Sequence, residues 1–125
     1  MNFPEELKYT DTHEWVKLEG DFVVVGVTEY AAGELGDVVF VDIPETRAVA
    51  NGESFGSIEA VKTVSDLIAP ISGTLTEINP DLEGSPELVN ADPYGKGWMV
   101  KMSIENADEF NGLMDAAQYK TLIGK

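Results

Sequence analysis

The sequence has 125 residues, which is the size of one domain, and a formal net charge of −15 from 23 acidic and 8 basic side chains. This excess of negative charge argues against nucleic acid and anionic membrane surfaces as partners, and it suits contact with proteins that carry basic patches. With no cysteine and one histidine, His13, the chain cannot form a disulfide, a thiolate metal site or a site with several histidines. We expect a single domain over residues 1–125.

No apolar run in the sequence approaches the roughly 20 residues that a membrane-spanning helix needs. The acidic segment over residues 1–6 lacks the basic, apolar start of a secretory signal and the Arg- and Ser-rich start of a transit peptide. These features predict a bacterial cytoplasmic protein with no membrane partner.

Short runs of branched and aromatic residues, separated by turn-forming residues, predict a mostly β fold. Turn formers at residues 19–21 predict a hairpin between the first two strands, and Pro44 ends the third. We expect strands over residues 15–18, 22–27, 37–43, 73–78 and 98–104, with two more on either side of Lys62. The side chains expected to be buried in these strands are Val25, Phe40, Ile58, Leu75 and Trp98.

Short helices are expected after the second strand and near the C-terminus. Thr28 can accept a hydrogen bond at the start of a helix over residues 29–34. Asn106 and Glu109 have the spacing of a capping box, which predicts the start of a second helix. A third helix, over residues 115–122, is expected to cover the β body with Leu113, Ala117 and Leu122.

Lys62 lies between two apolar segments, where burial of its charge would be costly. We therefore expect it at the exposed tip of a hairpin, with Gly56 marking a bulge in the first strand. Three interpretations are open: a lysine that carries a covalent prosthetic group, a Schiff-base lysine, or a plain surface lysine. A Schiff-base lysine needs burial or a neighbouring cation. A tip flanked by Glu59 and Asp66 offers neither, so the enzyme interpretation ranks lowest.

Residues 59–66, Glu-Ala-Val-Lys-Thr-Val-Ser-Asp, resemble the lipoyl attachment motif of the glycine cleavage system H proteins. The pattern differs from the commonest one at Ala60 and Thr63, where Ser and Ala are usual. Further segments resemble the same family in the same order, at residues 9–16, 26–31, 35–41, 70–73 and 88–98. A lipoyl or biotinyl carrier of another complex is the alternative, and it would lack the Asp-Pro-Tyr-Gly segment at residues 92–95 and the C-terminal helices.

The resemblance implies a flattened barrel-sandwich hybrid with short helices, and a carrier rather than an enzyme. Lipoate would be attached covalently to Lys62. The arm would take the aminomethyl group of glycine from the pyridoxal-phosphate-dependent glycine decarboxylase (P protein) to the folate-dependent aminomethyltransferase (T protein). Dihydrolipoamide dehydrogenase (L protein) would then reoxidise the dithiol. A carrier that visits several enzymes is most simply a monomer.

The resemblance also implies roles for two carboxylates. Glu59 would belong to the surface that the lipoate-attaching enzyme recognises, and Glu14 would lie close to the loaded arm. From the residues alone, the alternative for Glu59 is a solvated strand carboxylate. Glu14 could about equally be the outward residue of a first strand. Glu34 stands near a position where some relatives have histidine, and no role is assigned to it.

Overall fold

The computed structural model describes residues 2–125, which form two antiparallel sheets and five short helices. The mostly β prediction is confirmed, and the two sheets form a sandwich-like fold rather than a closed barrel. The strands are β1 (Lys8–Tyr9), β2 (Glu14–Glu19), β3 (Phe22–Val27), β4 (Val38–Asp42), β5 (Ala48–Val49), β6 (Ser54–Ala60), β7 (Val64–Ile68), β8 (Gly73–Ile78) and β9 (Val100–Ser103). The helices are α1 (Glu29–Leu35), α2 (Asp81–Gly84), α3 (Leu88–Ala91), α4 (Ala107–Asn111) and α5 (Ala116–Leu122).

The larger sheet has the strand order β1-β2-β3-β9-β8-β5, and the smaller one has the order β4-β6-β7. The main core brings together the inner faces of both sheets. Val25 from the larger sheet, Ile58 from the smaller one and Leu75 are buried in it, as predicted. β6 and β7 pair with each other and contribute Phe55, Ile58 and Leu67 to this core, which anchors their hairpin.

Two of the five burial predictions are wrong. Phe40 is 50% exposed because the pairing of β4 with β6 shifts register between Val38 and Phe40. This irregularity leaves Val38 in the core and turns Phe40 outward, so that one alternating pattern does not run through the whole strand. Trp98 is half-buried because it precedes β9, and it packs beside Lys101, whose Nζ lies 5.2 Å from its ring centroid.

A second, smaller apolar cluster lies on the other side of the larger sheet and brings Tyr9 and Trp15 together with Tyr119 of α5. The extent of α5 agrees with the predicted helix, but its buried face does not. Ala116 and Tyr119 are buried, whereas Ala117 and Leu122 are exposed. The apolar residues of this helix are spread over more than one face, so the sequence pattern does not identify which face is buried.

The helix caps confirm one sequence prediction and correct another. Thr28 Oγ1 accepts a hydrogen bond from the Ala31 N–H and starts α1, as expected. Asn106 does cap α4, but the Glu109 carboxylate accepts from Ser72 instead of returning to Asn106, so no capping box forms there. No helix within residues 2–125 is long and apolar enough to cross a membrane.

Candidate functional site

The tip of the β6–β7 hairpin is formed by residues 61–63. Glu59 pairs with Val64 across the two strands, and the Ala60 N–H donates to the Thr63 carbonyl at 2.8 Å. The Val61 N–H donates to the Asp37 carbonyl at 3.0 Å, which ties the tip to the chain before β4. Lys62 is exposed at the tip, as the sequence predicted. Among the ion pairs of residues 2–125, none involves Lys62, so its primary amine faces solvent on a braced turn.

The bulge predicted at Gly56 is also present. The β6–β7 pairing shifts register between Ser54 and Gly56. A Cβ atom at Gly56 would collide with the Asp42 carbonyl oxygen of the neighbouring strand. Glycine therefore allows β4 to approach β6 closely, and this contact holds the base of the hairpin in place.

A cleft of about 140 Å³ lies beside the hairpin, between β2, α1 and β7. Three carboxylates reach it from three elements: Glu14 from the start of β2, Glu34 from α1 and Asp66 from β7. Apolar side chains, including Ile58 and Leu67, line the rest. A small cleft with apolar walls and converging acidic groups suits a cationic group at the end of an apolar chain.

Glu14 is the buried member of this group, with only 2% of its surface exposed. Thr10 Oγ1 donates to Glu14 Oε1 at 2.9 Å, and Thr12 Oγ1 donates to the same oxygen. Burial raises the pKa of Glu14 to about 7, and the bonds from Thr12 and Thr10 oppose the rise. Near neutral pH this carboxyl can therefore change charge, and an approaching cation would favour its ionised form.

The backbone before β2 is held by a hydrogen-bond network that reaches the C-terminal helix. His13 has φ +70°, an uncommon conformation for a residue with a side chain. Its Nδ1 lies 2.8 Å from Tyr119 Oη, which also lies 2.8 Å from Thr28 Oγ1. The Thr28 N–H donates to the His13 carbonyl at 3.0 Å. His13 is thus a locally bonded residue that helps to fix the position of Glu14, and Trp15 is a buried packing residue.

The cleft is within reach of a lipoyl group on Lys62. Asp66 follows Lys62 by four residues, about 13 Å at about 3.3 Å per strand residue. A lipoyl-lysine arm contains about 12 bonds from Cα to sulfur and extends roughly 15 Å. The exposed amine and the cleft beside it therefore fit the group that the sequence resemblance implies.

Comparison with known proteins identifies the family. The family model described as "Glycine cleavage H-protein" matches residues 7–125. The chain is 57% identical to the glycine cleavage system H protein of Staphylococcus carnosus, over 100% of both chains. The chain belongs to the glycine cleavage H-protein family. It is also 55% identical to the H protein of Bacteroides fragilis, over 98% of both chains.

A solved structure agrees with this assignment. The crystal structure of a glycine cleavage system H protein from Mycobacterium marinum superimposes with a TM-score of 0.86 at 38% sequence identity. The match covers 98% of this chain and 100% of that one. The H-protein fold therefore extends over nearly the whole chain, including the C-terminal helices that distinguish the family from the alternative carriers weighed above.

The two residues that the resemblance assigns around the H-protein arm lie in different places. Glu14 lies in the cleft, buried, and is not the solvated outward residue of a first strand. Glu59 is exposed on the outer face of β6 and does not line the cleft. Glu34, to which no role was assigned, shares the cleft with Glu14.

The residues that hold Glu14 were not recognised in the sequence. Thr10 and Thr12 both donate to the carboxylate, and neither is among the site residues that the sequence predicts. The available signal was their spacing, four and two residues before a carboxylate, which suits local side-chain hydrogen bonds. Asp66 was noted as a charge near Lys62 but not as a wall of the cleft.

Larger grooves lie elsewhere on the surface. One, of about 460 Å³, runs between β4 and α2, and another, of about 560 Å³, lies between residues 9–12 and 112–114. Neither is lined by Glu14 or by Lys62. The smaller cleft is the candidate site because acidic and apolar side chains converge in it beside the hairpin that carries Lys62.

Proposed function

We propose that this chain is the lipoyl carrier of a glycine cleavage system and that lipoate is attached through an amide bond to Lys62. The observation that supports the site most strongly is the exposed Lys62 amine on a braced hairpin tip, in a chain of the H-protein family. When bound, the lipoyl dithiolane accepts the aminomethyl group of glycine at one sulfur. The chain over residues 1–125 acts as one carrier domain and contributes no catalytic group.

The partners follow from this role. Glycine decarboxylase loads the arm, the aminomethyltransferase unloads it, dihydrolipoamide dehydrogenase reoxidises it, and a lipoate-attaching enzyme installs it. The protein tethers the reacting group, so that each enzyme meets it at a high effective concentration. We place the protein in the bacterial cytoplasm as a monomer, which leaves the hairpin free to visit each enzyme in turn.

Lys62→Arg tests the attachment site. Arginine keeps the positive charge but cannot form the amide, so incubation with a lipoate-attaching enzyme, lipoate and ATP should add the mass of a lipoyl group to wild type and none to the variant. Lys96→Arg, another exposed lysine, is the matched control and should be modified as wild type. Because the tip is exposed, the free energy of unfolding of Lys62→Arg should change by no more than about 0.5 kcal/mol. Lipoylation of Lys62→Arg would contradict the assignment.

We further propose that Glu14 binds the protonated amine at the end of the loaded arm. An aminomethyl nitrogen on sulfur can use its lone pair to expel the thiolate, and protonation removes that lone pair. The Glu14 carboxylate favours the protonated amine, and the apolar side chains that line the cleft, such as Ile58 and Leu67, strengthen this electrostatic contact by lowering the local dielectric. The hydrogen bonds from Thr10 and Thr12 to Oε1 fix the orientation of the Glu14 carboxylate.

Glu14→Gln tests this role, because the amide keeps the size and acceptor oxygen but not the charge. Loaded protein should release ammonia and formaldehyde about tenfold faster than wild type, whereas lipoylation of Lys62 should be unchanged. Glu105→Gln removes one exposed negative charge without altering the lining of the cleft, and it should behave as wild type. Equal release rates for wild type and Glu14→Gln would remove Glu14 from the site.

A further inference from the structure

A second concave site lies on the outer face of the larger sheet, the face turned away from the main core. It is a pocket of about 220 Å³ whose lining includes Trp15, Lys17, Val24, Tyr94, Trp98 and Lys101, and we call it the outer pocket. None of the residues that line the cleft beside the hairpin lines it. In a chain with 8 basic side chains and a net charge of −15, two lysines here face one small pocket with aromatic walls. A concave site with apolar walls and a few convergent charged groups is the usual form of a small-molecule site.

The strand register brings the two lysines to either side of Val24. Lys17 pairs with Val24 across β2 and β3, and Val24 pairs with Lys101 across β3 and β9. Because neighbouring strands lie about 4.8 Å apart, the Cα atoms of the lysines are roughly 10 Å apart on the same face. Each side chain extends about 6 Å from Cα to Nζ. Both ammonium groups can therefore contact one anionic group held above Val24, which is itself buried.

Aromatic rings form the adjoining end of the outer pocket. Trp15 precedes Lys17 by two residues, so it lies on the same face of β2, about 7 Å along the strand. Its indole lies across Gly26, where a Cβ atom would come within 2.7 Å of the ring. Tyr94 packs beside Trp15 with ring centroids 6.1 Å apart, and both Tyr94 and Trp98 are half-buried. The outer pocket thus offers partly exposed ring surface next to two cations.

The protein's own carboxylates hold the two lysines only weakly. Lys17 Nζ lies 3.6 Å from Glu19 Oε2. Lys101 Nζ lies 3.7 Å from Glu77 Oε1, and all four side chains are partly exposed. Exposed ion pairs contribute little to stability, so a ligand can replace them at small cost. An anionic group above Val24 would meet both ammonium groups at once, whereas each carboxylate meets one.

We propose that the outer pocket binds a planar aromatic phosphate. The ring stacks on Trp98 and Tyr94, and the phosphate lies above Val24 between Lys17 and Lys101. Aromatic rings stack favourably on Trp and Tyr side chains, and charge-assisted hydrogen bonds from lysine to phosphate are strong. The volume of the outer pocket equals that of about seven water molecules at about 30 Å³ each, which suits a ring and its phosphate.

The outer pocket and the cleft select ligands of opposite charge. The cleft presents carboxylates, which attract a protonated amine, whereas the lysines of the outer pocket repel such a cation and attract a phosphate. The ligand of the outer pocket is therefore a separate molecule and not the group carried on Lys62. Because the two sites share no lining residue, binding in the outer pocket does not require the lipoyl arm.

NMR titration of the ¹⁵N-labelled full chain tests the site, because its 2 tryptophans give separate indole N–H signals. Adenosine monophosphate joins a planar ring system to a phosphate, and adenosine and inorganic phosphate are its two parts. The monophosphate should shift the indole signal of Trp98 with a Kd of about 1 mM or lower, at least about tenfold tighter than either part. Phenyl phosphate is the single-ring probe. Tighter binding of phenyl phosphate than of adenosine monophosphate would assign the outer pocket to small aryl phosphates, and the reverse would assign it to nucleotides.

Variants locate the binding in the outer pocket. Lys17→Gln with Lys101→Gln removes both cations and should weaken binding of the monophosphate at least about tenfold, and Trp98→Leu should also weaken it. Lys125→Gln, which changes an exposed lysine outside the outer pocket, is the matched control and should bind as wild type does. Urea unfolding verifies that each variant is folded.

Three results would each overturn the proposal. The first is the absence of a shift of the Trp98 signal with either aromatic phosphate at about 10 mM. The second is binding of inorganic phosphate as tight as that of the aromatic phosphates, which would show that the rings take no part. The third is equal binding by wild type and by the variant that lacks both lysines.

Discussion

Glu14 holds an almost fully buried carboxyl group, and its surroundings act on its pKa in opposite directions. Burial favours the neutral form, while hydroxyl donors at Thr12 and Thr10 favour the ionised form. Burial dominates and raises the pKa to about 7. Near neutral pH the carboxyl group can therefore lose its proton when a cation binds beside it. A site that binds an ammonium group reversibly needs this property.

This pKa predicts a dependence of stability on pH. The folded chain binds the Glu14 proton more tightly than the unfolded chain, whose carboxyl has the ordinary value of 4.5. The stability associated with neutral Glu14 is thus present below pH 4.5 and is lost as the pH rises to about 7, by about 3 kcal/mol in total. Glu14→Gln cannot titrate and so lacks this loss. The free energy of unfolding of Glu14→Gln should therefore rise relative to that of wild type between pH 5 and pH 8. Urea unfolding at both pH values measures it.

Glu105→Gln, which removes an exposed carboxylate, controls for the loss of one negative charge. A stability difference between Glu14→Gln and wild type that is the same at pH 5 and pH 8 would show that Glu14 is not the group that titrates.

At this scale, the sequence indicates the place of Lys62 but not the burial of Glu14. A lone cation between two apolar strands has only the exposed tip available, so local reasoning suffices. Glu14 is enclosed by α1 and by β7, which lies some fifty residues further along the chain. Its burial follows from tertiary packing, and no short segment around Glu14 contains that information.

At the scale of elements, Tyr119 connects α5 with the cleft. Its ring stacks on Tyr9 with centroids 4.9 Å apart, and its hydroxyl lies between His13 and Thr28. Thr28 caps α1, and α1 forms a wall of the cleft. One buried hydroxyl thus links the C-terminal helix, the start of β2 and the start of α1.

Tyr119→Phe keeps the ring and removes this hydroxyl. The expected loss in free energy of unfolding is about 1–3 kcal/mol, because two buried or half-buried polar groups lose a partner. Urea unfolding measures the loss, and Tyr30→Phe, an aromatic residue near His13, is the matched control with an expected change within about 0.5 kcal/mol. Equal stability of Tyr119→Phe and wild type would show that the hydroxyl is replaced by other contacts.

The elements themselves are largely predictable, because alternating branched residues and turn formers are local signals. The orientation of particular side chains is harder to predict from the sequence. The irregular pairing at Phe40 depends on the partner strand β6, and Glu109 bonds to Ser72 because the tertiary fold brings that loop beside α4. The local capping-box spacing at Asn106 therefore competes with a longer-range partner, Ser72, which donates to the Glu109 carboxylate instead.

At the scale of the whole molecule, the negative charge is mostly uncompensated. The ion pairs formed within residues 2–125 are Lys17–Glu19, Arg47–Glu53 and Lys101–Glu77, and all are at the surface. The remaining acidic groups, from a total of 23, produce a negative field around the protein. Such a field adds little to specific stability but attracts partners with basic surfaces from a distance.

The charge predicts that association with the partner enzymes slows as salt rises. The Debye length falls from about 30 Å at 0.01 M to about 8 Å at 0.15 M, so long-range attraction is largely screened in the second case. The second-order rate constant for reoxidation of the reduced, lipoylated protein by dihydrolipoamide dehydrogenase should therefore fall by about tenfold or more between these concentrations. Stopped-flow kinetics measure it, with free dihydrolipoamide as the control, since this neutral substrate reports any direct effect of salt on the enzyme. If protein and free substrate respond equally to salt, the charge of −15 does not steer the encounter and acts only on solubility.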